Sequence, residues 1–533
     1  MRNEGKSFRI SIYTFIGLFL FVSVIFPIVS VLINVEWSNF DDLISSELFK
    51  TSFHNSVIVS SVGTIISVVI AYALAFAINR THIKGKRVLT IIFTLPMLIP
   101  SISHGIGIIN LFGKNGIITN LVGIDFDIMG VNGIVLGSIL YSFPVAFLLF
   151  VDAFKYVDNS MYECAEVLGM NKMQQFKEIT FYYMKKPILS ACFAIFTMIF
   201  TDYGVPIAIG GRYDTLPVFL YREVIGLLDF SKGAMIGMFL LIPAFISFIF
   251  DIMNKDVQGN NNYNKEFHIK EDKVRDIIFT IITGIVVVVL LCLFGSFLYL
   301  AFINNFPYDK SLSLVHFEYV IRNGIMGYIF NSVFISIIVA IVGTVFAYFT
   351  AYITARFEEK FNKIFHILAI CSLAIPGIFL GLAYIFAFKN TFIYNTFIIL
   401  IMVNIVHFFA SPYLLAYNAL GKLNKNYEIV GLTCGVNRVR IIKDVIIPNS
   451  KETILEMVSY FFVNSMITIS AVSFLFNTDN MPISLLINQY KGQLMYEEAA
   501  IISLTILAIN LVFKAVVGVL RKKFGGRKIG EIK

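Results

Sequence analysis

The stretch YECAEVLGMNKMQQFKEITFYYMKKP, Tyr162 to Pro187, is polar and lies between two long apolar segments. A relative of it, YEIVGLTCGVNRVRIIKDVIIP, runs from Tyr427 to Pro448. Superposing Gly169 on Gly435 brings Phe176 onto Ile442, Lys177 onto Lys443, Glu178 onto Asp444, Ile179 onto Val445 and Phe181 onto Ile447. Each copy is a short helical run, a glycine that lets the backbone turn sharply, and a second run with apolar residues at helical spacing. Such a helix, held between apolar segments, presents a face that needs covering. Both copies therefore read as docking elements for a partner on one side of a membrane.

The membrane follows from composition. Hydrophobic residues make up 57% of the 533 and charged residues 14%, more apolar surface than a soluble core absorbs. Apolar runs of spanning length, roughly 20 residues each, recur about twelve times. They fall near 11–33, 55–79, 88–112, 131–153, 187–209 and 233–253, then near 277–302, 328–355, 364–388, 391–418, 453–476 and 499–520. The first run exceeds a signal-peptide core and lacks a small-residue cleavage site, so it is expected to stay. Cys164, Cys192, Cys292, Cys371 and Cys434 show no CxxC spacing, which argues against a disulfide framework and a structural zinc site.

The formal charge of +8 raises nucleic acid as a partner, but its distribution excludes that reading. Lys and Arg gather in alternate loops: Arg80 to Arg87, Lys155 to Lys186, Lys255 to Arg275, Arg356 to Lys363, Lys422 to Lys451, and both termini. The intervening loops are acidic or neutral, as with Asp41, Asp42, Glu47, Asp125 and Asp127. This positive-inside pattern predicts both termini and both docking stretches in the cytoplasm.

The chain is a duplication. Asn55-Ser56 returns as Asn331-Ser332, Ala71-Tyr72 as Ala347-Tyr348, Arg80 as Arg356, Pro100 as Pro376 and Gly105 as Gly381, always 276 residues later. Six spans per half give two copies of one orientation, related by an axis along the membrane normal. The expected fold is an all-α polytopic membrane protein of about twelve spans in two six-helix repeats. The first repeat covers 1–253 (core about 51–253), a polar linker 254–276, and the second repeat 277–533 (core about 328–520). Pro96, Pro100, Gly105 and Gly107 are expected to break the third span, and Pro376, Gly377 and Gly381 the ninth; Pro144 and Pro412 fall in the fourth and tenth. Broken helices are tolerated where protein or a wet cavity satisfies the freed backbone. Close packing at kinks is the alternative.

The paired polar stretches resemble the EAA loop of the membrane subunits of ABC importers: Glu-Ala-Ala, Gly three residues on, then Ile-x-Leu-Pro. Glu163, Ala165, Gly169 and Ile179 match in the first copy, with Cys164 at the first Ala and Tyr182 at the Pro. Gly435 and Pro448 match in the second, Val445 stands for Ile, and Glu428 lies one place early. The resemblance implies the type I importer fold and a separate cytoplasmic ATPase homodimer gripping both loops. Glu163, Ala165, Gly169, Phe176, Ile179, Glu428, Gly435, Ile442, Val445 and Pro448 are then the coupling positions. It further implies a bacterial inner-membrane location, an external solute-binding protein, and ATP with magnesium on the partner ATPase only. TDYGVPIAIGGRYDTLPVFLYREVIG, Thr201 to Gly226, is similar to the matching segment of permeases for ferric iron, polyamines and 2-aminoethylphosphonate. The resemblance favours 2-aminoethylphosphonate or ferric iron as solute, with polyamine or thiamine behind.

Gly204, Pro206, Gly210 and Gly211 predict that this segment is extracytoplasmic or re-entrant and not helical. Asp202 is an acid at the outer third of a span, a functional candidate by position, or else a helix-end carboxylate at the headgroups. Tyr203 adjoins it. His104 sits in the broken third span, where the repeat has Leu380, and His407 and Tyr141 lie at similar depth. Thr468, Ser470 and Ser473 add hydroxyls to the eleventh span, where bonds to their own backbone are the plainer reading. The first six of these with Ser470 form the candidate pathway; packing roles compete at each. No GxxxxGK[ST], HExxH, GxSxG or Cys/His cluster occurs, so neither catalytic residues, a metal site nor a cofactor is expected in this chain. The competing class is a twelve-span secondary transporter driven by an ion gradient, which would need more charge deep in the spans than Asp202 and the histidines supply.

Overall fold

In a bilayer, backbone N–H and C=O groups must be satisfied within the chain, so long apolar runs fold as helices. The computed structural model describes residues 2–155, 157–253, 267–269, 271–357, 359, 361–424 and 426–525. In the first repeat these form α1 (Ile10–Asn34), α2 (Glu47–Arg80), α3 (Lys86–Leu98), α4 (Ser101–Phe112) and α5 (Val131–Lys155). They continue as α6 (Asn159–Val167), α7 (Lys172–Phe200), α8 (Gly204–Ile209), α9 (Leu216–Tyr221) and α10 (Phe230–Met253).

The second repeat opens with α11 (Lys273–Ala301), a hairpin of β1 (Ile303–Asn305) and β2 (Asp309–Leu312), and α12 (Val315–Arg322). Then come α13 (Ile325–Arg356), α14 (Asn362–Ala374), α15 (Gly377–Phe388), α16 (Phe397–His407) and α17 (Ala410–Lys422). The last are α18 (Asn426–Thr433), α19 (Lys451–Ile467), α20 (Ile483–Gly492) and α21 (Tyr496–Gly525).

Eight described helices are long and apolar enough to cross a membrane, or eleven segments if each bent pair counts once. The segment short of the expected twelve is the eleventh. It was expected to span to about 476, but α19 stops after 17 residues at Ile467 and residues 468–482 are turns and coil. The fifth span is also displaced: its helix begins inside the polar stretch at Lys172 and ends at Phe200. The Thr201–Gly226 segment departs from the non-helical expectation, because α8 and α9 form there. Pro217 sits in the first turn of α9, where its missing N–H costs nothing. Residues 254–266 and 270 of the expected linker lie outside the described residues.

Both predicted breaks are present. α3 meets α4 at 102° and α14 meets α15 at 113°, with Pro100 and Pro376 just before the second arms. Asn510 of α21 donates to the Leu98 carbonyl at 2.9 Å, repairing an acceptor freed by the first break. Pro144 breaks nothing; it lies within the single helix α5. The tenth span bends by 53° between α16 and α17, ahead of Pro412.

Side-chain pairs fix the directions. Ser67 meets Ser142 at 2.9 Å and Tyr72 packs on Phe150, so α2 and α5 run parallel. Phe53 packs on Phe200 and Phe76 on Phe279, so α7 and α11 run opposite to α2. Arg356 reaches the Leu420 carbonyl and Phe334 the ring of Phe397, so α13 parallels α16–α17. Both polar stretches therefore lie on one face of the bundle, and Thr201–Gly226, the hairpin and α20 lie on the other.

The repeats exchange their outer helices. α1 packs on the second repeat: Phe15 and Phe19 stack on Phe346, and Tyr384 Oη donates to the Ser23 carbonyl at 2.8 Å. α11 returns to the first repeat, where Leu293 lies against Gly107 of α4. Ser503 of α21 meets Ser103 of α4 at 2.8 Å, and Gly237 of α10 faces Phe379 of α15.

Candidate functional site

The two polar stretches fold alike. In the first, α6 ends with Met170 N–H donating to the Ala165 carbonyl and Gly169 N–H to that of Glu166, both at 2.9 Å. In the second, Val436 N–H donates to Gly431 at 2.9 Å and Gly435 N–H to Leu432 at 3.1 Å. This nested pair of bonds needs a left-handed residue after the helix; Gly169 and Gly435 supply it with φ of +73° and +75°. Asn171 and Asn437 then cap the next helical run through their side-chain oxygens. Both runs pass into a π-helical turn, Phe176–Phe181 and Ile442–Ile446, a widening that recurs at functional sites.

Each stretch is tied to the bundle by the arginine ending a long helix. Buried Arg356 pairs with Glu428, its Nε 2.7 Å from Oε1, and donates to the Leu420 and Asn424 carbonyls at 3.1 and 3.0 Å. Arg80 instead places its guanidinium 5.9 Å from the ring centre of Tyr162 in the first stretch and 3.5 Å from that of Phe267. Glu163 accepts from Asn159 Nδ2 at 2.9 Å. Ala165 and Ile442 are buried and serve packing, whereas Phe176 and Pro448 are exposed and Ile179 and Val445 half-buried. Further apolar surface is uncovered on the same face: Val167, Leu168, Met173 and Tyr182 in one copy, Ile429, Val430 and Val439 in the other.

Between the repeats lies a small cavity of about 80 Å³, lined from the first by Ser101, Tyr141, Asp202 and Gly204 and from the second by His407, Phe408, Asn464 and Ile467–Ser470. Of the candidate pathway residues, Tyr141, Asp202, His407, Thr468 and Ser470 come together on this wall. His104 and Tyr203 are beside the cavity and not on its wall. His104 Nδ1 is 3.3 Å from the Ser101 carbonyl and its ring packs on Tyr141. Tyr203 is buried against Tyr221. The Asp202 carboxylate accepts from Val205 N–H at 2.9 Å and Gly204 N–H at 3.3 Å, so it also caps α8. His407 Nδ1 and His104 Nε2 are buried with no hydrogen-bond partner among the described residues.

The cavity inherits the duplication. An offset of 266, the one relating the glycines, carries Tyr141 to His407, Asp202 to Thr468 and Gly204 to Ser470. Ser101 and Gly377 are related by the other offset, 276. A Cβ on Gly204 would lie 2.1 Å from Ser101 Oγ, and one on Gly377 would lie 2.4 Å from Ser470 Oγ. The two halves therefore hold the same serine–glycine contact with the residues exchanged. Sequence reading missed Ser101, Gly204, Phe408 and Asn464 as wall residues; combining both offsets would have brought Ser101 and Gly204 into view.

On the far face the repeats are clasped. Lys491 Nζ donates to the Ile207 carbonyl at 2.9 Å, and Asn488 Nδ2 to Tyr203 Oη at 3.4 Å.

A duplicated helical bundle with a polar seam and two like polar segments on one face has the form of a membrane permease with both halves in one chain. Comparison gives the family. Residues 67–308 and 343–526 each match the model of the binding-protein-dependent transport system inner membrane component. The chain belongs to that family, with the domain present twice, and is a fused permease of the ABC importer type. The ferric transport system permease protein FbpB of Actinobacillus pleuropneumoniae is 25% identical over 550 residues, covering 97% of this chain and 79% of that protein. A putative ferric transport system permease protein, FbpB 1 of Haemophilus influenzae, is 25% identical over 506 residues, covering 89% and 79%. Among solved structures, a chain from the bacterial alginate ABC transporter complex with its alginate-bound periplasmic protein aligns with TM-score 0.42 at 15% identity, over 48% of this chain and 96% of that one.

Proposed function

We propose that this chain is the whole membrane pathway of an ATP-driven importer for ferric iron, with both termini and both docking segments in the cytoplasm. An ATPase homodimer binds the segments around Gly169 and Gly435 and carries the ATP and magnesium. A solute-binding protein delivers the cargo to the face bearing Thr201–Gly226 and α20. Closure of the ATPase pair draws the segments together, and the repeats rock about the seam between two packings. The clasp of Lys491 on Ile207 is broken in the outward-open one.

The observation that carries this reading is the seam cavity, whose wall joins Asp202, Tyr141 and His407 from both repeats beside an unpartnered imidazole nitrogen. Carboxylate, phenol and imidazole suit iron, and ferric permeases are the relatives that match nearly end to end. The alternative cargo, 2-aminoethylphosphonate, would need a cation at its phosphonate, and the wall carries an acid instead.

Proteoliposomes holding the chain and its ATPase test this with radiolabelled ferric iron. Asp202→Asn should reduce ATP-driven uptake at least tenfold while the ATPase still co-purifies. Undiminished iron uptake by this variant would remove the cavity from the pathway, and inhibition of uptake by excess 2-aminoethylphosphonate would reassign the cargo. Uptake driven by an ion gradient without ATPase would restore the secondary-transporter reading.

A further inference from the structure

The exchanged helices are not equally well seated. On the second repeat α1 fills its crossing with aromatic rings: Phe15 and Phe19 on Phe346, and Tyr13 on Phe365, with Gly17 3.5 Å from that ring at its would-be Cβ. The repeat partners of Phe346 and Phe365 are Ile70 and Leu89. At that smaller site α11 presents Ile277, Thr280, Ile281 and Gly284, and a groove of about 700 Å³ remains between α11, α3 and the loop that joins α2 to α3. The space beside Gly284 is open: among the described residues nothing lies within 4 Å of a Cβ built there.

The groove is amphipathic along its length. Its mouth, on the face of the docking segments, carries Lys84, Lys273 and His82; its floor carries Leu89, Ile281 and Val287. One acid, Asp276, shares the mouth, but it is engaged by Arg275 at 2.9 Å and by His82 at 3.3 Å. Lys84 and Lys273 enter no ion pair among the described residues. Two uncompensated ammonium groups thus stand at the water boundary of a membrane span, over an apolar trough that runs into the hydrocarbon. Headgroup-level basic pockets between membrane helices are where anionic lipids are held.

We infer that this groove is a binding site for an anionic phospholipid, one acyl chain lying along α11 past Gly284 and the phosphate between Lys84 and Lys273. The lipid completes the α11 crossing as the aromatic side chains complete that of α1.

Native mass spectrometry of the full chain, purified in mild detergent from an equimolar mixture of phosphatidylglycerol and phosphatidylethanolamine with matched chains, tests the site. The wild-type chain should retain phosphatidylglycerol at least fivefold over phosphatidylethanolamine. Lys84→Gln with Lys273→Gln should bring that ratio near one, and Gly284→Phe should reduce retention of both lipids. Equal retention by the wild-type chain would overturn the proposal without recourse to any variant. So would an unchanged preference in the double-glutamine variant. A photo-crosslinking residue at Ile281 that captures residues 254–266 or another protein, and not phospholipid, would assign the groove to that occupant instead.

Discussion

At the residue scale, the seam is built from one contact used twice in opposite order. Ser101 lies against Gly204, and Ser470 against Gly377, although Ser101 aligns with Gly377 and Gly204 with Ser470. The backbone approach at each place leaves room for one hydroxymethyl group, and it does not matter which strand of the contact provides it. Gly204→Ser alone should therefore be costly, since its Cβ starts 2.1 Å from Ser101 Oγ and overpacking costs roughly 1–3 kcal/mol. Adding Ser101→Gly should recover most of that loss, because the double variant copies the second half. Thermal unfolding followed by size-exclusion of the single and double variants checks the coupling; equal damage in both would show that the two residues do not share the space.

At the scale of elements, the two polar segments depend on their glycines for backbone and not for space. Among the described residues no atom lies within 4 Å of a Cβ on Gly169, yet its φ of +73° would cost a branched residue about 1–3 kcal/mol. Gly169→Val with Gly435→Val should leave the chain in the membrane and reduce ATP-driven uptake tenfold or more, with ATPase binding as the second readout. Normal uptake would mean that the sharp turn after each helix does not matter to transport. A second element, α12, carries a pH-dependent tie. His316 lies 2.8 Å from Glu498 and 2.9 Å from the Asn304 carbonyl. Burial disfavours its imidazolium, but the hydrogen bond and charge of Glu498 outweigh this and raise the pKa above its usual value. A raised folded-state pKa stabilises the fold fully below about pH 6.5, and that contribution is lost as pH rises through the raised value. His316→Gln should thus destabilise the chain more at pH 5.5 than at pH 9, by up to roughly 1.5 kcal/mol, read as a larger fall in melting temperature at the lower pH. A pH-independent difference would deny the charged pair.

Across the whole molecule, legibility followed the range of the interaction. The 276-residue offset was plain in the sequence, and it has a structural counterpart: Asn55 and Ser56 hold the Asp214 carbonyl and Leu216 N–H just as Asn331 and Ser332 hold those of Asp479 and Ile483. The glycine-hinged segments were legible because helix, turn and cap are local. The fall in offset from 276 to 266 has its cause in one connection: eighteen residues, 113–130, join α4 to α5, and eight, 389–396, join α15 to α16. What composition could not reveal was the early end of α19, since residues 468–476 are as apolar as a span but pack as turns against α15, where Gly381 comes within 2.7 Å of the Ala471 carbonyl at its would-be Cβ. The exchange of α1 and α11 was equally hidden, because nothing in an apolar helix states which neighbour its ridges fit.

That exchange makes a strong demand on assembly. In lipid there is no hydrophobic drive between helices, and association rests on close packing and interhelical hydrogen bonds. The first repeat sends α1 and α10 onto the second, and the second sends α11 and α21 back, so each half lacks two of its own walls without the other. Cutting the chain within residues 254–266 removes the covalent join but none of these contacts. Residues 1–260 and 261–533, expressed together, should co-purify and restore uptake to within about tenfold of the intact chain. Removing residues 1–46 from the first piece should abolish most of that pairing, because Tyr13, Phe15, Phe19 and the Ser23 carbonyl are among the groups that the second repeat receives from α1. If the shortened piece pairs as well as the full one, α1 is a passenger on the bundle, and the interlock reduces to the contacts of α10, α11 and α21.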